Sequence, residues 1–439
     1  MSPETSHLAA VRRWLVPVVA LLALTHTATA AAAGWQIEPI GASEGVHELH
    51  DLAFDGHGRA LLSWDAALQG HVPPTFAGLA TRDPAGGWQR PPDLAGVDPA
   101  SAQVHVFSGQ QALLVGRQGG AGGSADRGVV VADGQTDGGF GPLRVLSKFT
   151  ASFWSASDAS GDAIVAWKGE RSPFLTVSER TAGHAFSRPR DLAIGRSATV
   201  AMDDRGDRVL AWPDGRRISA RVRRRGGAWG PIEHFGHLPA DRDRRLSSVV
   251  APGGRVVVTW GRDGGDCGVA VRDAHRVWRT RRLEAHCASA SVGDRDAPVI
   301  PVADATGATY VAWTHRTPKA NSVTLARVGA DGPVGRIVVS RQRGAILDDV
   351  ATGPGAALAI TWSAVLSQTG APLRTATYAA VRRAGAGFQI DRLSPGGVLV
   401  DRGSRVAFQP LTGQAVVAIP YRVGRTLAVG AVVGAPPSP

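Results

Sequence analysis

Short apolar runs, rather than long amphipathic stretches, set the rhythm of this chain. A run of four to seven residues precedes a polar turn and another follows it. The pairs include "SFWSAS" (152–157) with "AIVAW" (163–167), "ATVAM" (198–202) with "RVLAW" (208–212), and "LSSVVA" (246–251) with "RVVVTW" (255–260). Short runs rich in β-branched residues and bounded by turn residues predict two antiparallel strands buried on both faces. A third run follows each pair, as in "LTVSER" (175–180), "GVAVRD" (268–273) and "VTLARV" (323–328). These alternate, which predicts a strand with one wet face. A Gly-rich turn and an aromatic residue then open a fourth run: "GGWQRP" (86–91), "GGFGPL" (138–143), "GHAFSRP" (183–189), "GGAWGP" (226–231). Proline is tolerated there because an outer edge needs fewer ladder donors.

The unit repeats. Aligned on the last residue of the second run, it ends at Trp64, Gly116, Trp167, Trp212, Trp260, Trp313, Trp362 and Ile419. Glycine stands six residues earlier at Gly58, Gly161, Gly206, Gly254, Gly307 and Gly413, and aspartate three before that at Asp55, Asp158, Asp203 and Asp304. In such a D-x-x-G turn the Asp side chain caps the backbone and Gly takes the positive φ other residues resist. Four antiparallel strands repeated eight times predict an all-β protein, a single β-propeller of eight four-stranded blades. Seven blades is the alternative, since the second and eighth units lack the Trp. The segment "GWQIEPI" (34–40) reads as an outer strand without its first three, and "RTLAVGAVV" (425–433) as a third strand without its fourth. Pairing the two closes the ring and removes an open edge. One position filled by Trp in six units is read as blade-on-blade packing rather than as sugar stacking.

Composition adds partners and compartment. The net charge is +11 and only Lys148, Lys168 and Lys319 are lysines, so the positive charge is almost all arginine. That balance favours anionic partners, although an Arg-, Ala- and Gly-rich composition also follows from a GC-rich genome. Arg12 and Arg13, the apolar run "WLVPVVALLAL" (14–24) and the small-residue site Ala28-Thr29-Ala30 together predict a secretory signal peptide over 1–30. The apolar run is too short for a comfortable membrane span, and no other segment looks membrane-spanning. The propeller is expected over 31–433, with a short tail over 434–439. An exported chain meets oxidising conditions, so Cys267 and Cys287 are expected to form a disulfide.

The repeat resembles that of secreted bacterial β-propellers of the sialidase-like and WD40-like group. "SASDASGDAIVAW" (155–167) is similar to the sialidase Asp-box, S-x-D-x-G-x-x-W, with longer spacings. The resemblance covers the mature chain as architecture and implies a propeller, not an activity. A sialidase needs a Tyr nucleophile beside a Glu, an acid/base Asp and an arginine triad. Only Tyr310, Tyr378 and Tyr421 are present, the first two inside predicted strands and none beside a recognisable Glu.

The D-x-x-G turns and the turns between third and fourth strands fall on one face of the disc. The longer second-to-third loops and the inter-blade links fall on the other, where function concentrates on rigid scaffolds. Candidate binding residues on that loop-rich face are Lys168, Glu170, Arg171, Arg216, Arg262, Asp263, His315 and Arg316. Asp263, Asp266, Asp294 and Asp296 are also hard-cation ligand types, but interleaved Arg262 and Arg295 read more simply as ion-pair partners, and no metal or cofactor is assigned. "RVRRRGG" (221–227) reads as a wet strand face and turn. Nucleic acid is disfavoured, because no basic tract is interleaved with aromatics. No catalytic constellation emerges. The leading expectation is a secreted module binding an anionic envelope polysaccharide or another secreted protein. The rival is a glycan-active hydrolase or lyase whose carboxylates, from several blades, meet near the axis.

Overall fold

The computed structural model describes residues 35–41, 46–66, 76–91, 94, 96–98, 101–119, 128–150, 152–238, 245–261, 265–273, 275–287, 299–317, 320–329, 332–342, 344–367, 374–383, 385–394, 403–423 and 426–434. The expected signal segment, Arg262, Asp263, Asp294, Asp296 and residues 435–439 lie outside them.

Eight four-stranded antiparallel sheets form a ring. Blades 1 to 7 span 46–89, 103–147, 152–194, 199–235, 245–284, 300–342 and 346–392, each with its strands in chain order. Blade 8 takes its first three strands from 405–434 and its outer strand from the other end of the chain. Trp35–Gly41 pairs antiparallel with Thr426–Gly434, Trp35 opposite Gly434 and Pro39 opposite Gly430. The first strand of every blade touches the first strands of both neighbours, blade 8 touching blade 1, so the ring is closed. This is the eight-bladed propeller that the repeat predicts.

Turn chemistry follows the sequence. Asp158 Oδ1 accepts from the backbone N–H groups of Ser160 and Asp162, both at 3.0 Å. Asp304 does the same for Thr306 and Ala308, at 2.9 and 3.0 Å. The glycine that closes the first of these turns, Gly161, has φ +98°. The six tryptophans are buried, none more than 4% exposed. Their cross-strand partners on the third strand are mostly small: Gly78 faces Trp64 and Gly268 faces Trp260. A Cβ on either glycine would stand within 2.2 Å of the indole, so those positions admit glycine alone. In blade 2 the link residue Val97 fills the space instead; a Cβ on Gly116 would meet its Cγ1 at 2.6 Å.

Burial departs from the expected pattern in a regular way. Second and third strands are the buried pair, because blades stack on both of their faces: Cys267–Arg272 is buried throughout, as is Val177–Arg180 in blade 3. Most first strands, expected to be buried, are half-exposed, as in Ser152–Ser157, because they form the innermost wall around the axis, while Thr199–Met202 of blade 4 is mostly buried. Charges on third strands are therefore paired between blades. Glu38, on the closing strand, accepts from Arg82 Nε and Nη2 at 2.7 and 2.8 Å and from Trp88 Nε1 at 3.0 Å, both of blade 1. Glu233 of blade 4 repeats the arrangement with Arg272 (2.7 Å twice) and Trp278 (2.6 Å) of blade 5. The two latches sit half a ring apart.

Candidate functional site

Blades 2 and 3 frame a cavity of about 530 Å³ on the loop-rich face. Trp167, at the end of the strand Ala163–Lys168, forms part of its wall. Ser147, Lys148 and Phe149, where blade 2 hands over to blade 3, form another part. The loop Gly169, Glu170, Arg171 and Ser172 forms the rim, and Thr176 of the third strand lies below it. That loop is shaped from within: Lys168 Nζ donates to the carbonyls of Gly169 (2.7 Å) and Ser172, and the Phe174 N–H donates to Ser172 Oγ at 3.1 Å.

Phe149 is 56% exposed, the most exposed aromatic side chain among the described residues. Lys148, Glu170 and Arg171 are exposed, and among the described residues none has an ion-pair partner. Two cations and one carboxylate thus surround an aromatic, concave site of ordinary ligand-pocket size. Of the sequence-predicted residues, Glu170 and Arg171 line this cavity, while Lys168 holds its loop.

The other described candidates, Arg216, His315 and Arg316, stand elsewhere on that face. Arg216 lies exposed in the hairpin between Asp214 and Arg217 of blade 4. His315 and Arg316 end the strand Thr309–Arg316 of blade 6. His315 Nδ1 lies 3.2 Å from Glu284, which also pairs with Arg336 at 2.8 Å. Burial alone would raise the Glu284 pKa, but the Ala285 N–H, His315 and Arg336 hold it below the usual value. Cys267 and Cys287 form a disulfide with Cα atoms 5.8 Å apart. Cys287 also bridges to His315 of the next blade, so the bond fastens the loop face where blade 5 meets blade 6. The six described candidates are not gathered into one site, and Arg262 and Asp263 lie outside the described residues.

A polar constellation that the sequence reading missed surrounds the axis. One equivalent first-strand position carries Asp349 in blade 7, Arg405 in blade 8, Asp51 in blade 1, Gln103 in blade 2 and Thr199 in blade 4. Each reaches the next blade's first strand. Asp349 Oδ2 accepts from the Val406 N–H (3.0 Å), Asp51 accepts from the Val104 N–H, Gln103 Oε1 accepts from Ser155 Oγ (2.5 Å), and Thr199 Oγ1 meets Ser248 Oγ (3.0 Å). Arg405 Nε donates to the His50 carbonyl at 2.9 Å. Asp348, beside Asp349, accepts from Ser363 Oγ, Ser404 N and Ser404 Oγ at 2.8 to 3.2 Å. Burial raises Asp51 to about 6, partly countered by Arg405 and reinforced by Asp349. It raises Asp348 and Asp349 as well. Burial, helped by Arg180, lowers His105 to about 4. The register signal was present in the sequence: "LHDLA" (49–53) and "LDDVA" (347–351) share a pattern, and both strands carry a register shift there.

These carboxylates come from different blades, and their hydrogen bonds hold neighbouring blades together. The tyrosines do not supply a nucleophile beside them. Tyr378 stacks on Trp362 at 5.6 Å, Tyr310 lies under Arg382, and Tyr421 is half-buried against Gly430. Among the described residues no cluster of His, Cys, Asp or Glu fits a metal ion, and no helix is long and apolar enough to cross a membrane.

The sequence matches no family model and no curated protein. The structure is similar to an ulvan lyase from a new family of polysaccharide lyases, bound to -[GlcA(1-4)Rha3S]-. The TM-score is 0.51 at 12% identity, over 90% of this chain and 95% of that one. It is also similar to a prolyl endopeptidase (TM-score 0.48, 15% identity, 87% of this chain), of which it spans about half, 54%. A six-bladed fucose-recognising lectin of Aleuria aurantia gives a TM-score of 0.40 at 10% identity, over 64% of this chain and 91% of that one. At these identities the likeness is one of fold alone.

Proposed function

We propose that the protein is a secreted glycan-binding propeller, released from a signal peptide over 1–30, and that it takes an acidic polysaccharide in the cavity between blades 2 and 3. The observation that carries this reading is an exposed Phe149 and the edge of Trp167 in a concave site rimmed by Lys148 and Arg171, cations with no ion-pair partner among the described residues. An aromatic face takes the apolar side of a sugar ring, and a guanidinium fork takes a carboxylate or sulfate group. Glu170 adds an acceptor for hydroxyl groups.

The test is binding of uronate and sulfated oligosaccharides to the mature protein, with bound ligand and released fragments measured together. Arg171→Ala and Phe149→Ala should each weaken binding about tenfold or more, the loss of one charge-assisted contact or one ring contact. Unchanged affinity in both variants would overturn the assignment. A second reading, a glycan-cleaving enzyme, draws on the raised carboxylates Asp51, Asp348 and Asp349 beside Arg405. Fragment release that Asp51→Asn abolishes would favour it.

A further inference from the structure

Blades 3 and 4 enclose a second cleft, of about 620 Å³, on the turn face opposite the loop-rich one. Its walls carry Arg180, Arg188, Arg190, Arg208, Arg223 and Arg225, against only two carboxylates, Asp162 and Glu179. The floor is Glu179, 7% exposed as a side chain, which pairs with Arg208 (3.0 Å), Arg223 (2.6 Å) and Arg190 and accepts from Trp229 Nε1 at 3.3 Å. Arg208 also approaches Asp162 at 3.7 Å.

An acid of one blade held by an arginine and a tryptophan of the next is the latch already met at Glu38 and at Glu233. There one arginine satisfies the acid. Here three arginines converge on one glutamate, and Arg188 and Arg225 stand on the rim, exposed, with no ion pair among the described residues. Arg208 and Arg223 staple blade 4 to blade 3, Arg190 closes on the same glutamate and Arg180 pairs with Asp133 of blade 2, which leaves Arg188 and Arg225 without an ion-pairing task among the described residues. Clustered guanidinium groups repel one another, and a bound oxyanion relieves that repulsion while filling their donor forks.

We propose that this cleft is a second binding site, for the sulfate-ester or uronate groups of an acidic polysaccharide. The polymer is a saccharide rather than a nucleic acid because the cleft offers no free aromatic platform for bases. Trp229 is tied to Glu179, and Phe186 lies beneath Arg180 at 5.5 Å.

The experiment is titration of the full-length mature protein with a heparin oligosaccharide, an oligogalacturonate and single-stranded DNA, at low and moderate salt. The expected result is salt-sensitive binding of one or both saccharides, the responding one identifying sulfate or carboxylate as the source. Arg188→Ala/Arg225→Ala should weaken it about tenfold or more and flatten its salt dependence. Both side chains are exposed and unpaired, so the variant keeps its fold, which its Trp fluorescence checks. Binding of the saccharides unchanged in that variant, or DNA bound in preference to both saccharides, would overturn the proposal. Arg171→Ala on the opposite face separates the two assignments: a cleft contribution that survives it stands without the loop-face site, and one that vanishes with it refutes the cleft.

Discussion

Asp51 and His105 should give the fold two opposed pH responses that single variants uncover. Burial holds the Asp51 carboxyl at about 6 instead of 3.8. The native state therefore binds more protons than the unfolded chain between those values, and stability falls as pH rises through the window. The displacement corresponds to about 3 kcal/mol, present in full below about pH 4 and lost above about pH 6. His105 is held at about 4 instead of 6.5, so there the unfolded chain binds more protons and stability rises with pH over nearly the same range, again by about 3 kcal/mol. In the native sequence the two contributions largely cancel.

Asp51→Asn keeps an acceptor oxygen for the neighbouring blade and removes the buried charge. It should be more stable than the native protein by up to about 3 kcal/mol at pH 7.5 and close to it at pH 4. His105→Gln should do the reverse, leaving a protein that loses stability as pH rises from 4 to 6. Urea unfolding at pH 4, 5.5 and 7.5, followed by tryptophan fluorescence, reads both. A gap between Asp51→Asn and the native protein that stays constant across these three pH values would refute the burial argument for Asp51. The same outcome for His105→Gln would refute it for the histidine.

Two further perturbations test the ring itself. Replacing both Cys267 and Cys287 by Ser removes a crosslink between positions 20 apart and should cost about 3 kcal/mol of unfolding free energy by denaturant titration, with blade 5 still formed. Glu38→Ala strands Arg82, which is 5% exposed, and should cost about 3–5 kcal/mol. It should also speed proteolysis at the closing strand, which Glu233→Ala in the equivalent latch should not do.

The ring was legible because its signals are local. A turn needs Asp and Gly at fixed offsets, and a Trp at one strand end recurs whenever a blade must fill the same space. Even the exceptions are physical: Gly116 replaces a Trp because Val97, from the preceding link, occupies the volume. The latches were not legible, since Glu38 and Arg82, or Glu233 and Arg272, are remote in sequence and meet only through the stacking of blades. The axial carboxylates were hidden for a related reason. Asp51 and Asp349 look like ordinary polar residues in first strands, and only ring closure brings them around Arg405. "RVRRRGG" was read as a wet strand face and turn, and so it is, but that Arg223 and Arg225 line a cleft there depends on Glu179 of the neighbouring blade, which lies remote in sequence. Glu170 and Arg171 were found by asking which loops are long, and Lys148 and Phe149 were missed because they belong to a different blade.

The two proposed sites share a strand. Phe174–Arg180 carries Thr176 in the loop-face cavity and Glu179 and Arg180 in the arginine cleft. Strand geometry separates Thr176 from Glu179 by about 10 Å. The outer strand Arg190–Ile194 runs beside it, its Ile194 66% exposed. A polysaccharide long enough to pass over this edge of blade 3 would occupy both sites at once, and the second contact would then form at high effective concentration. Affinity for an acidic oligosaccharide series should therefore climb by a factor on the order of a hundred once chain length spans the edge, then level off. Arg171→Ala combined with Arg188→Ala/Arg225→Ala should abolish that climb while leaving the weak binding of the shortest members little changed. Affinity that grows only in proportion to chain length would show that the two sites are filled independently, and the shared strand would then be no more than a consequence of the blade.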